Sequence, residues 1–128
     1  MPNVRIDENG VPKAAVFEQA APVAHRTGVT AVDSAAPDVE DGVDAAGFEH
    51  VDFDLDVTLG GEDPLLEVTP LFYNATADAW FRGEPAYFTA TGRHRLRTPA
   101  RGGIVFLAVT ALQGDTPTLD LDAWAVVS

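Results

Sequence analysis

The sequence predicts an all-β fold: an antiparallel β-sandwich of jelly-roll or Greek-key-like type, preceded by an extended N-terminal arm. Three observations predict it. From Gly47 onward apolar and polar residues alternate with period two, clusters of Gly, Pro and Asp recur between the alternating runs, and no segment after residue 47 holds a helical period. Six or seven strands spaced in this way fit two packed sheets. Apart from the hairpin rhythm itself, no internal repeat is evident.

The division falls at residue 47, giving an arm over 1–46 and a sandwich over 47–128. The arm contains Pro2, Pro12, Pro22 and Pro37, and Phe17 is its only large ring before Gly47. AAVFEQAA has room for one or two helical turns between Pro12 and Pro22, and HRTGVTAV, with Val29, Thr30 and Val32, is a short strand. AVDSAAPDVEDGVDAAG is acidic and aperiodic, as in a long loop. Such a segment gains too little from its own apolar groups to order alone, so it is expected to dock on its own sandwich or on a neighbour.

In FEHVDFDLDVTL, Val51, Phe53, Leu55, Val57 and Leu59 alternate with His50, Asp52, Asp54, Asp56 and Thr58, the pattern of a half-buried strand. Gly60-Gly61-Glu62-Asp63 reads as a turn and PLLEVTPLFYN as the returning strand of a hairpin, with Pro70 placing it at an edge or marking a bulge. ADAWFR is a short strand closed by Gly83-Glu84-Pro85. AYFTATGRHRLRT sets Arg93, Arg95 and Arg97 on one face and His94 and Leu96 on the other. IVFLAVTAL is apolar throughout, as suits a central strand covered on both faces. QGDTPT is a further turn, and LDLDAWAVV closes the chain with Leu119, Leu121, Ala123, Ala125 and Val127 on one side.

At 128 residues and 13.6 kDa the chain has room for one domain. Eight basic residues against twenty acidic ones give a net charge of -12, which argues against nucleic acid as a partner. The absence of cysteine removes disulfides, thiolate metal sites and cysteine nucleophiles. No apolar run approaches a bilayer span, and the first residues lack the pattern of a signal peptide, so neither a membrane nor secretion is expected. Lysine is nearly absent, Lys13 being the single example, while Asp and Ala abound; GC-rich coding and adaptation to salt both produce this composition.

The charges are segregated. Twelve carboxylates and no Lys or Arg lie between Asp33 and Glu67, whereas Arg82, Arg93, Arg95, Arg97 and Arg101 crowd a later stretch. The ladder Asp52, Asp54, Asp56 and the matching ladder Arg93, Arg95, Arg97 pair either within one molecule or across a contact between copies, where they would set register. Same-face neighbours on a strand stand about 6.8 Å apart, too far for two of these carboxylates to share one calcium ion unaided. His25, His50 and His94 show no metal-ligand spacing. With serine only at Ser34 and Ser128, and no phosphate-binding loop, nothing marks an enzyme or a cofactor site. Trp80, Phe81, Tyr87 and Phe88 serve either as core rings or as a stacking platform for carbohydrate.

The run GIVFLAVTALQGDTPTLDLDAWAVV, an apolar strand, a Gly-Asp-Thr-Pro-Thr turn and a terminal alternating strand, resembles the closing hairpin of small β-sandwich virion proteins of tailed phages and related archaeal viruses, above all head-decoration or cement proteins. An arm ahead of a compact sandwich is also common in that group. The resemblance implies a structural virion protein, made in the host cytoplasm and carried in the capsid or head, with copies of itself (trimer or higher) and a major capsid or other virion protein as partners. It implies no catalytic residues, cofactor or metal. Interface candidates are Arg93, Arg95, Arg97, Asp52, Asp54, Asp56 and Phe17. The alternative is a carbohydrate- or receptor-binding module of a fibre, turret or tail.

Overall fold

The computed structural model describes residues 5–6, 12–13, 21–101 and 103–128. Its strands are β1 (Arg5–Ile6), β2 (Pro12–Lys13), β3 (Val23–Val29), β4 (Val43–Asp44), β5 (His50–Asn74), β6 (Ala79–Arg82), β7 (Ala86–Phe88), β8 (Gly92–Pro99) and β9 (Ile104–Val127), with one short 3-10 turn at Val39–Asp41. Among the described residues β1 and β2 pair with each other, and the other seven strands form one continuous antiparallel sheet. No helix among the described residues is long and apolar enough to cross a membrane.

Two strands organise the molecule. β5 and β9 pair from Val51↔Val127 to Phe72↔Val105, so they form one long ribbon. Fully extended, 25 residues would reach about 80 Å, but the ribbon doubles back. Arg26 pairs with Ala123 of β9, and its guanidinium also donates to the carbonyl of Leu107, 2.8 Å away on the same strand. Positions 107 and 123 would stand roughly 50 Å apart on a straight strand. The fold-back turns one ribbon into two layers. The first layer has the order β3, β9 (119–127), β5 (50–59), β8; the second has β4, β9 (104–113), β5 (65–74), then β7 and β6. This is jelly-roll order, one of the two sandwich topologies expected from the sequence.

The inward faces of both layers meet in one core. Val51, Phe53, Leu55 and Val57 of the first pack with Leu66, Val68, Val105, Leu107 and Val109 of the second, all essentially inaccessible to water. Burying each such side chain contributes about 1.5–3 kcal/mol. Residues 105–109 are buried in succession, which fits the central placement expected of IVFLAVTAL.

The corner of the ribbon corrects two expectations. Neither Gly60-Gly61-Glu62-Asp63 nor QGDTPT is a hairpin turn; the strand continues through both, and the two segments lie side by side with Glu62 opposite Asp115. Gly61-Glu62-Asp63-Pro64 and Gly114-Asp115-Thr116-Pro117 form a repeat, each with positive φ at its first and third positions (93° and 50°, 132° and 46°). Gly, Asp and Pro mark a turn in sequence, but positive φ serves a bulge equally well. Two bulges in register bend both strands together without reversing either.

Two further expectations change. β5 is central rather than an edge strand. Pro70 is tolerated because its carbonyl, and therefore its missing N–H, points toward the break between β6 and β7, where the Gly83 N–H donates to that carbonyl at 2.7 Å. The boundary at residue 47 also moves. β3 and β4 are built into the layers, Ala45 is a core residue, and the sandwich extends back to Val23. β3 covers much of the expected strand HRTGVTAV, starting two residues earlier. Phe17 lies outside the described residues.

Candidate functional site

The outer face of the first layer carries both charge ladders. β5 and β8 are neighbours in register, with Asp52 opposite Arg97, Asp54 opposite Arg95 and Asp56 opposite Arg93, so the ladders meet within one chain. Arg97 grips Asp52 through two hydrogen bonds (Nε to Oδ1 2.8 Å, Nη2 to Oδ2 3.0 Å), and Arg95 grips Asp54 likewise (2.6 and 3.0 Å). The third rung is open. Asp56 and Arg93 make no ion pair with a described residue.

The two closed rungs differ in surroundings. Asp52 is only 2% exposed, and the Arg97 hydrogen bonds hold its carboxyl below the usual carboxylate range, against the opposing effect of burial. The Asp54 carboxylate keeps about a third of its surface in water. Arg97→Met therefore leaves a buried anion without a partner, whereas Arg95→Met leaves one that water can solvate. Thermal melts should show a clearly larger loss for Arg97→Met, with the Arg95→Met melt close to that of the parent.

Beside these rungs stands Trp124, directly across β9 from Asp54 and 38% exposed. Sequence reasoning missed it, although alternation with Leu121, Ala123 and Ala125 already turns it outward. Ala24 of β3 lies on its other side, so one row across the layer reads Ala24, Trp124, Asp54, Arg95. A shallow cavity of about 510 Å³ is lined by Trp124, Asp54, Asp56, Arg93, Arg95 and their neighbours.

The four expected platform rings do not share a face in this way. Trp80 donates its indole N–H to the Pro37 carbonyl at 2.9 Å and is wedged between Tyr73 and Phe106. Phe88 packs against the core and stacks on His94, ring centres 4.5 Å apart. Only Phe81 and Tyr87 are mainly exposed, at 53% and 55%, on the edge strands β6 and β7.

A second cluster laces the open edge between the layers, and nothing in the sequence marks it. Arg26 binds both carboxylate oxygens of Asp33 (2.8 and 3.0 Å) and lies over the Phe106 ring, 4.6 Å from its centre. Asp33 in turn exchanges backbone and side-chain bonds with Val109 (2.9 and 2.7 Å). His25 Nε2 accepts the Leu107 N–H at 3.0 Å, so the neutral ring carries its proton on Nδ1. A cavity of about 730 Å³ adjoins these groups. With its lone pair engaged by backbone, His25 serves as a fastener of β3 rather than as a free base.

Burial, reinforced by the Arg26 charge, pushes the His25 pKa down to about 4 against the weaker opposite pull of Asp33 and Asp41. The sign follows directly. The unfolded chain takes up this proton near pH 6.5 and the folded one only near 4, so stability is lost as pH falls through that window, by about 3 kcal/mol in all. Asp52, whose folded pKa is lowered, adds a further loss at still lower pH. Urea midpoints measured from pH 7 to 4 should fall accordingly, and His25→Gln should flatten that stretch of the curve. No protein-family model, curated protein or solved structure matches the chain.

Proposed function

We propose that the chain is a structural subunit of a virus particle, of the head-decoration type, that works by packing rather than by chemistry. The observation that carries this reading is the jelly-roll order of the two layers, an architecture used by viral capsid proteins. Lectin domains use it as well, so fold alone does not decide function. Two features of the surface favour an assembling subunit. Phe81 and Tyr87 project from neighbouring edge strands of the second layer, where exposed rings suit contact with another protein. Twenty residues precede the sandwich segment that starts at Ala21, and in this reading they contact a neighbouring subunit.

The closed Asp52–Arg97 and Asp54–Arg95 rungs change the role open to the charge ladders. They tie β5 to β8, so they contribute a stiff face rather than complementary charges between copies. The test is incorporation. Particles purified from the virus should contain the chain in many copies, and a protein lacking residues 1–20 should fold yet fail to join them. Absence of the chain from particles, or free incorporation of Phe81→Ala/Tyr87→Ala together with the truncation, would refute the proposal.

A further inference from the structure

We infer that the outer face of the first layer holds a binding site for a neutral hexose-containing glycan, centred on Trp124 and the open Asp56–Arg93 rung. Three observations meet there. The Trp124 indole is exposed on the sheet face that carries the Asp and Arg ladders, directly opposite Asp54. Of the three Asp–Arg rungs, the two further along β5 toward His50 are closed by paired hydrogen bonds, while Asp56 and Arg93 stand opposite each other without an ion pair to a described residue. The cavity of about 510 Å³ lies against these same groups, within the size range of small-ligand sites.

The chemistry selects the ligand. A pyranose ring has an apolar face of C–H groups and a rim of hydroxyls. Its C–H face suits the indole, while a carboxylate accepts and a guanidinium donates to hydroxyls at the rim. Asp56 and Arg93, opposite each other on neighbouring strands, offer one acceptor group and one donor group to hydroxyls of the same ring. Asp54 is held in place by Arg95, so the neighbouring rung enters the site already ordered. Two Asp and two Arg cancel in the cavity lining, and Asp122 stands across β9 from Asp56, which disfavours an acidic sugar. A phosphate-bearing ligand is disfavoured on the same ground.

This site is separate from assembly, since Phe81 and Tyr87 belong to the second layer. The test uses the full chain on an array of immobilised oligosaccharides ending in glucose, galactose, mannose or N-acetylglucosamine, with sialylated and glucuronate-terminated glycans alongside. Capture of neutral glycans is expected, with titration calorimetry of the best soluble oligosaccharide giving an affinity that Trp124→Ala and Asp56→Asn each weaken by at least ~10-fold. Phe81→Ala should bind as the parent does. Because Asp56 lies on the outer face and outside the core cluster, Asp56→Asn keeps the test open if Trp124→Ala melts early. Capture of no glycan, capture of acidic glycans only, or binding unchanged in both variants would overturn the inference.

Discussion

Removal of residues 1–46 is expected to abolish folding, whereas removal of residues 1–20 should leave a cooperatively folded domain. β3 is an edge strand, but it closes the jelly roll. Without it, Leu121, Ala123 and Ala125 lose the strand beside them, and Leu107 and Val109 lose the groups that satisfy their backbone at the seam between layers. The losses add up quickly. Each unsatisfied buried backbone group costs about 1–3 kcal/mol, and the uncovered apolar edge adds several more. A total on the order of 5–10 kcal/mol matches the entire stability of an ordinary domain. Circular dichroism and urea unfolding of the two truncations would check this: a sharp transition in the longer deletion would show that β3 is dispensable.

A smaller deletion of the same seam can be made with side chains alone. Asp33→Ala removes the ion-pair partner of Arg26 and the acceptor of the Val109 N–H in one step, leaving a mostly buried guanidinium over Phe106 with only the Leu107 carbonyl to bind. Its unfolding midpoint should fall between those of the parent and of the 1–46 deletion.

Much of the fold was legible in the sequence because burial on a sheet has a period of two. The inward set Val51, Phe53, Leu55, Val57 and the split of β8 into Arg93, Arg95, Arg97 against His94 and Leu96 follow from alternation alone. β3 was legible as a strand from its β-branched residues, but its place in the sandwich was not. It is held chiefly by polar bonds from His25, Arg26 and the adjoining Asp33, and of its apolar residues only Val29 packs against the core, beside the His25 ring on Phe53. A strand fastened at its edge by side chains leaves no apolar rhythm to detect. The candidate site divides in the same way: outward placement of Trp124 is local information, but the choice of Asp54 for Arg95 spans 41 residues and depends on which strands become neighbours.

The corner repeat was visible only as two turns, and its glycines should be the most sensitive single positions among the described residues. A Cβ on Gly61 would lie 2.7 Å from the carbonyl oxygens of both Asp115 and Thr116, and one on Gly114 would lie 2.9 Å from that of Asp63. Backbone cannot swing aside as a flexible side chain can. Positive φ adds about 1–3 kcal/mol for any residue with a Cβ, and the steric clash a similar amount, so Gly61→Ala and Gly114→Ala should each destabilise by about 3 kcal/mol or more. The repeat also supplies the opposite test. Thr116 holds φ 46° with a β-branched side chain, while its counterpart Asp63 holds 50° with a residue that tolerates this region. Thr116→Asn should therefore relieve strain and raise the melting temperature by roughly 2–5 °C without adding a charge beside Glu62 and Asp115. If the two alanine variants melt with the parent and Thr116→Asn melts below it, the ribbon does not turn on this pair of bulges.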